Sequence, residues 1–252
     1  QRGEALVEAG RTRDMAPGER VTGSRIVGDR GFVVTFRAID PLFTLDLSDP
    51  SAPRVVAELK VPGFSTYLHP IEADHLLAIG TYVPEPQPGE RPDPDARALQ
   101  LAIFDVTNLA APRQTHVELV GTAHGWSDAQ FEHKAFNWFA ARQLLAIPFS
   151  DWNPAPSDGA DLAPWGGFTS ELRVFAIDAV SGIEPRGAIS MNDLYASQGE
   201  PAWDWYWSPQ VRRSVMADDF VYAISDAGIR VADVDELSVP VATVLFEREP
   251  PR

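Results

Sequence analysis

Cysteine is absent from the 252-residue chain, which excludes disulfides, thiol catalysis and Cys-ligated zinc. Basic charge is scarce: 21 Lys and Arg against 36 Asp and Glu leave a formal net charge of −15. Phosphate contacts need clustered cations, so nucleic acid is not an expected partner, and neither is an anionic membrane surface. No apolar run approaches the roughly 18 residues that a membrane-spanning helix requires, so no membrane insertion is expected. The opening residues QRGEALVEAG lack the charged-then-apolar pattern of a signal peptide, so a leader is expected to be lacking or already removed. Helical periodicity of useful length is missing too. The chain does have apolar content, at 44% hydrophobic and 10% aromatic, which suffices for a packed core.

It also has a repeat. DLSDPSAP, DVTNLAAP, DAVSGIEP and DVDELSVP each place a proline seven positions after an aspartate, at Asp46 and Pro53, Asp105 and Pro112, Asp178 and Pro185, and Asp233 and Pro240. The aspartates recur at intervals of 59, 73 and 55 residues. Each ends a short apolar run. Aligned on these positions, the chain reads as four segments of four apolar, β-branched runs separated by Gly, Asp and Pro. The first segment, for example, is ERVTGSRIV, GDRG, FVVTF, LFTLDL and PRVVAELKV. A four-stranded antiparallel meander cannot bury both its faces alone, so neighbouring repeats must cover one another. The expected fold is therefore all-β, a β-propeller of four-stranded blades with four blades in this chain. The blades are expected near 20–63, 64–122, 123–191 and 192–247, within a propeller domain over 25–252. Residues 1–24 form an N-terminal segment and a candidate closing strand. Asp at the turn accepts backbone N–H groups, and Pro sets φ where the outermost strand begins.

Four blades are at the lower limit of closure. The chain either closes as a ring, stays an open arc, or associates with itself through open blade faces. With strands A to D counted outward from the axis, two long inserts join strands B and C, about 82–98 and 150–169. Two more long connections, about 121–128 and 192–209, join strand D of one blade to strand A of the next. In a meander these emerge at one rim, where function is usually carried.

MAPGERV, RIVGDRGFVVTFRAIDPLFTLDLSDPSAPRVVAELKVPGFSTYLHPI and EHKAF resemble the bacterial and archaeal secreted proteins with a C-terminal β-propeller domain distantly related to WD40 repeats. The resemblance covers most of residues 14–246 and is dense at 15–72. It implies an exported protein of the secreted or cell-envelope kind, and it carries over no catalytic residue. Gly28, Asp29, Asp40, Pro41, Asp46, His69, Pro70, His133 and Lys134 match as motif residues without roles.

Three groups of side chains are candidates for chemistry. His69, His124 and His133 with Asp128 combine imidazole and carboxylate, as a divalent metal requires, and strand A residues converge near a propeller axis. The competing reading makes these histidines structural, because HExxH, HxxEH and the calcium-loop pattern are all absent. Asp93 and Asp95 in one insert, and Asp151, Asp158 and Asp161 in the other, offer oxygens for calcium, but the spacing matches no defined loop and the competing reading makes them solvated surface carboxylates. Six of the seven tryptophans fall in the long connections: Trp126, Trp152, Trp165, Trp203, Trp205 and Trp207. Exposed indoles either stack on sugar rings and anchor a protein partner or pack loops onto blade edges. No GxSxG elbow accompanies Ser127, Asp128 and His133.

The expected function is non-catalytic recognition, or scaffolding, of a protein or glycan through the Trp-rich face, with no cofactor. The alternative is a metal-dependent propeller hydrolase or lyase, using calcium or zinc near the axis. A purely structural blade array is the third reading.

Overall fold

A computed structural model of the chain describes residues 7–36, 40–84, 93–152, 168–196 and 210–246. Sixteen strands form four sheets of four. The first contains β1 (Arg20–Val27), β2 (Arg30–Phe36), β3 (Asp40–Asp46) and β4 (Arg54–Val61). The second contains β5 (Phe64–Pro70), β6 (His75–Tyr82), β7 (Ala98–Asp105) and β8 (Arg113–Val120). The third contains β9 (Asn137–Phe139), β10 (Leu144–Trp152), β11 (Phe168–Asp178) and β12 (Gly182–Ser190). The fourth contains β13 (Val211–Ala217), β14 (Phe220–Ser225), β15 (Gly228–Asp233) and β16 (Glu236–Leu245). Every sheet is a meander in chain order, with antiparallel neighbours such as β1 and β2, β5 and β6, β10 and β11, and β14 and β15. The fold is that of β-propeller blades. Among the described residues the helical structure is one short helix, α1 (Asn192–Ala196), and four 3₁₀ turns.

The chain divides into two compact units, residues 1–93 with 100–119, and residues 94–99 with 120–252. In the first unit Phe32, Val34 and Leu42 meet Leu68, Leu76, Ala78, Ala102 and Phe104, so the first two blades share one apolar layer. In the second unit Leu144, Ala146, Leu172 and Val174 meet Val211, Val221, Ala223 and Ala232 in the same way. Residues Ala98–Phe104 of β7 are all buried. This explains why the central runs lack strict alternation: both faces of the strand are covered. The outer strand β4 alternates regularly between exposed and half-buried residues. β16 is the most exposed, with Val239, Val241, Val244 and Leu245 each at least half exposed.

The repeated aspartates behave alike. Asp46 Oδ1 accepts from Ser48 N at 3.0 Å, Asp105 Oδ1 from Thr107 N at 3.0 Å, Asp178 Oδ1 from Val180 N at 2.9 Å, and Asp233 Oδ1 from Asp235 N at 2.9 Å. These are Asx turns that end strand C. In the first two blades the other carboxylate oxygen takes an arginine eight residues on, Arg54 and Arg113. Hydrogen bonds from Ser48 and then Arg54 lower the Asp46 carboxyl to about 2, and Thr107 and Arg113 hold Asp105 lower still.

The prolines divide into two kinds. Pro53 and Pro112 immediately precede β4 and β8, as expected. Pro185 and Pro240 lie inside β12 and β16, beside bulges that interrupt the pairing with β11 and β15. A bulge tolerates the missing N–H that a regular ladder would require. At the N-terminus, residues 7–19 form no strand, and residues 20–24 open β1. Gly10 lies so close to the first blade that a Cβ would come within 2.4 Å of Pro50 O.

Candidate functional site

The strongest local departure from the expected plan is strand A of the third blade. The sequence AQFEHKAFNWF reads as one strand, but only Asn137–Phe139 form β9. Two 3₁₀ turns precede it, at Asp128–Gln130 and His133–Ala135. Ser127 and Gln130 form a capping box, and Glu132 accepts from Lys134 N at 3.1 Å. Side chains that satisfy nearby backbone N–H groups compete with the strand ladder, and here they win. The ladder resumes upstream, where Trp126 N donates to Ser150 O at 2.8 Å and Ser150 N donates to Trp126 O at 2.9 Å.

That bridge seats the connection 121–127 beside the end of β10, at the root of the insert that follows Trp152. Trp126 lies 5.9 Å from Phe168 between ring centroids, and Trp152 lies 6.0 Å from the same ring. The tilts of 38° and 46° are ordinary for aromatic packing. Phe168 thus joins two tryptophans that are 26 residues apart in sequence. Trp152 is 43% exposed. Beneath the cluster, buried Asp151 accepts from Thr122 N at 2.8 Å and from Thr122 Oγ1 at 2.7 Å, clasping the connection to β10. Phe149 lies fully buried next to it, with the Arg173 guanidinium 3.8 Å from its ring centroid and Glu171 accepting from Arg173 Nε at 2.6 Å.

The connection into the fourth blade starts and ends at the same end of the third. Met191 N donates to Ser170 O at 3.0 Å, Ser170 N donates to Asn192 Oδ1 at 2.9 Å, and Val211 N donates to Ser170 Oγ at 3.0 Å. Arg230 of β15 donates bidentately to Asp193 at 2.7 and 2.8 Å and to Ser190 O at 2.6 Å. Within the second unit, three long connections therefore emerge together, as the meander alternation requires. Trp126 and Trp152 share Phe168 there. Trp165, Trp203, Trp205 and Trp207 lie outside the described residues.

The candidate metal ligands have other surroundings. His133 is in a 3₁₀ turn with its side chain 68% exposed, rather than on a strand. His124 is also exposed, its backbone N–H donating to Thr122 Oγ1 at 3.2 Å. Asp128 pairs with Arg212, whose Nη1 lies 3.3 Å from its Oδ2. Arg213 stands 3.5 Å from Glu132. His124, Asp128 and His133 converge on no ligand cluster among the described residues. Of the acidic-loop set, Asp151 is the buried clasp, Asp93 and Asp95 are exposed, and Asp158 and Asp161 lie outside the described residues.

His69, in the first unit, sits on β5 with Nδ1 3.2 Å from the Tyr67 hydroxyl. Burial first, and then the Arg25 charge, push its imidazole down to about 4 from an ordinary 6.5. The unfolded chain therefore binds more protons between these values. Stability from this group is complete above pH 6.5 and is lost as pH falls toward 4. For a half-buried ring the loss is on the order of 1–2 kcal/mol after solvent screening. His69→Asn should flatten the pH dependence of the urea midpoint in that window. Equal slopes in both proteins would refute the assignment.

A family model described as a beta-propeller domain matches residues 3–237, and the chain belongs to that family. Among curated proteins it resembles an uncharacterised protein of Archaeoglobus fulgidus, 35% identical over 145 residues, which are 58% of this chain and 21% of that protein. An uncharacterised protein of Methanocaldococcus jannaschii is 32% identical over 139 residues, 55% of this chain and 20% of that one. The chain thus spans about a fifth of the length of these relatives. Among solved structures, the hydrazine synthase of Kuenenia stuttgartiensis is similar at a TM-score of 0.49 and 12% identity, covering 89% of this chain and 62% of that one.

Proposed function

We propose that this chain is a non-catalytic recognition module of an exported β-propeller protein, binding a protein or a glycan on its loop-bearing rim. The observation that carries the reading is the Trp126–Phe168–Trp152 cluster, half open to solvent and held from below by the Asp151–Thr122 clasp. An aromatic ring of fixed orientation offers contact area at little cost in conformational entropy, which suits both sugar stacking and a protein hot spot. The four tryptophans outside the described residues belong to the connections rooted at the same place, which would extend the surface. The proposed secreted or envelope location rests on the resemblance of residues 15–72 to exported proteins.

A glycan array and a peptide library, followed by fluorescence titration of whatever is retained, test this directly. Trp152→Ala should weaken the retained ligand by 10-fold or more, while lowering stability by less than about 1 kcal/mol, since a 43% exposed side chain contributes little to the core. Unchanged affinity in the Trp126→Ala/Trp152→Ala protein would overturn the proposal.

A further inference from the structure

We propose that the turn between β5 and β6 binds one divalent transition-metal ion through Glu72, Asp74 and His75. The proposal is independent of the recognition reading. In a meander this A–B turn lies at the opposite end of the blade from the B–C insert. Its sequence, EADH, reads simply as a tight turn. Among the described residues it is the one place where three metal-ligating side chains bring a donor atom each within 4.8 Å of one another.

The geometry fits an ion. His75 Nδ1 shares a 3.0 Å hydrogen bond with Asp74 Oδ1, whose proton a bound ion would displace, and lies 3.7 Å from Glu72 Oε2. Metal–ligand bonds of about 2.0–2.2 Å at angles of about 90–120° put neighbouring donors about 3.0–3.7 Å apart. One imidazole nitrogen with two carboxylates favours zinc, cobalt, manganese or ferrous iron over calcium and magnesium, which take oxygen alone.

The donors are held without a metal. Ile71 N donates to His75 O at 3.2 Å, closing the turn, and Val106 N donates to Asp74 O at 2.9 Å. Arg30 donates to Ala73 O at 3.0 Å and also to Val106 O, so its guanidinium braces the backbone. Outside the cluster, Thr107 Oγ1 donates to Asp74 Oδ2 at 3.2 Å, which turns the other oxygen toward His75. Such an outer hydrogen bond orients a ligating carboxylate. The His75 side chain is only 18% exposed, so its ring is confined, while Glu72 faces solvent and leaves a path for the ion and its waters.

Chelator-stripped protein titrated with Zn²⁺ by calorimetry, and with Co²⁺ by visible absorption, decides the matter. The expected result is one saturable equivalent, weakened at least 10-fold in Glu72→Gln and in His75→Gln. Glu72 is exposed, so its variant should fold even if His75→Gln does not. His124→Gln/His133→Gln should retain the equivalent. No saturable equivalent would overturn the proposal. So would one that survives in Glu72→Gln at unchanged affinity, or one that disappears in His124→Gln/His133→Gln.

Discussion

Asp193→Ala is expected to destabilise the second unit by about 3 kcal/mol, more than Arg230→Met, although Asp193 is the exposed member of the pair. Its side chain is 67% exposed, whereas that of Arg230 is 9% exposed. Removing the carboxylate leaves a largely buried guanidinium with Ser190 O and Thr243 Oγ1 as its remaining acceptors among the described residues. Removing the arginine instead leaves a carboxylate that solvent accepts, and methionine fills much of the vacated space. That change should cost only about 1 kcal/mol. Equilibrium denaturation of both variants measures the asymmetry. If Arg230→Met proves the more damaging, the pair is not acting as a buried charge held by a solvated one. The Asp193 carboxyl is lowered mainly by its hydrogen bond from Arg230. Its contribution is therefore present above the ordinary carboxylate value and is lost as pH falls through the folded one.

Gly121→Ala is expected to cost about 2–4 kcal/mol and to disturb the aromatic cluster as well. Gly121 has φ of +76°, a conformation that side chains rarely adopt. A Cβ there would stand 2.3 Å from Phe149 Cζ and 2.7 Å from Asp151 Oδ2. Neither neighbour can give way. Phe149 lies fully buried under Arg173, and Asp151 holds Thr122 through two hydrogen bonds. The chain must shift instead, and Trp126 follows five residues on. The variant should lower the unfolding midpoint and change tryptophan emission of the native protein together. A stability loss of less than about 0.5 kcal/mol would mean that the connection is not clasped as described.

The blades were legible because their cause is local. Each of the four aspartates accepts from a backbone N–H two residues on, so an eight-residue pattern was enough to find the end of every strand C. The broken strand A of the third blade was not legible. Its apolar content matches a strand, and the outcome turns on Ser127, Gln130 and Glu132 capping their own neighbours. Trp126 and Trp152 could be picked out as loop tryptophans, but Phe168 could not, because nothing local says that the two ends of an insert close on a residue of the preceding connection. Asp151 illustrates the converse error. As a loop carboxylate it suggests either calcium or plain solvation, yet it is buried and accepts from Thr122. EADH carries no sequence signal, since Glu, Asp and His two and three residues apart on a turn have no signature beyond their own identity.

The prolines inside β12 and β16 have a consequence for behaviour at high concentration. β16 is the outer edge of its sheet, ten residues long, with valines exposed along it. A strand of that description is a template on which another molecule can add a strand of its own. Pro240 and the bulge beside it sit within it, and a bulge twists the edge away from the flat form that a foreign strand would need. Pro185 interrupts β12 in the same manner. In these two blades the proline and its bulge therefore make the outer strand a poorer template for edge-to-edge pairing than its exposed valines alone would be.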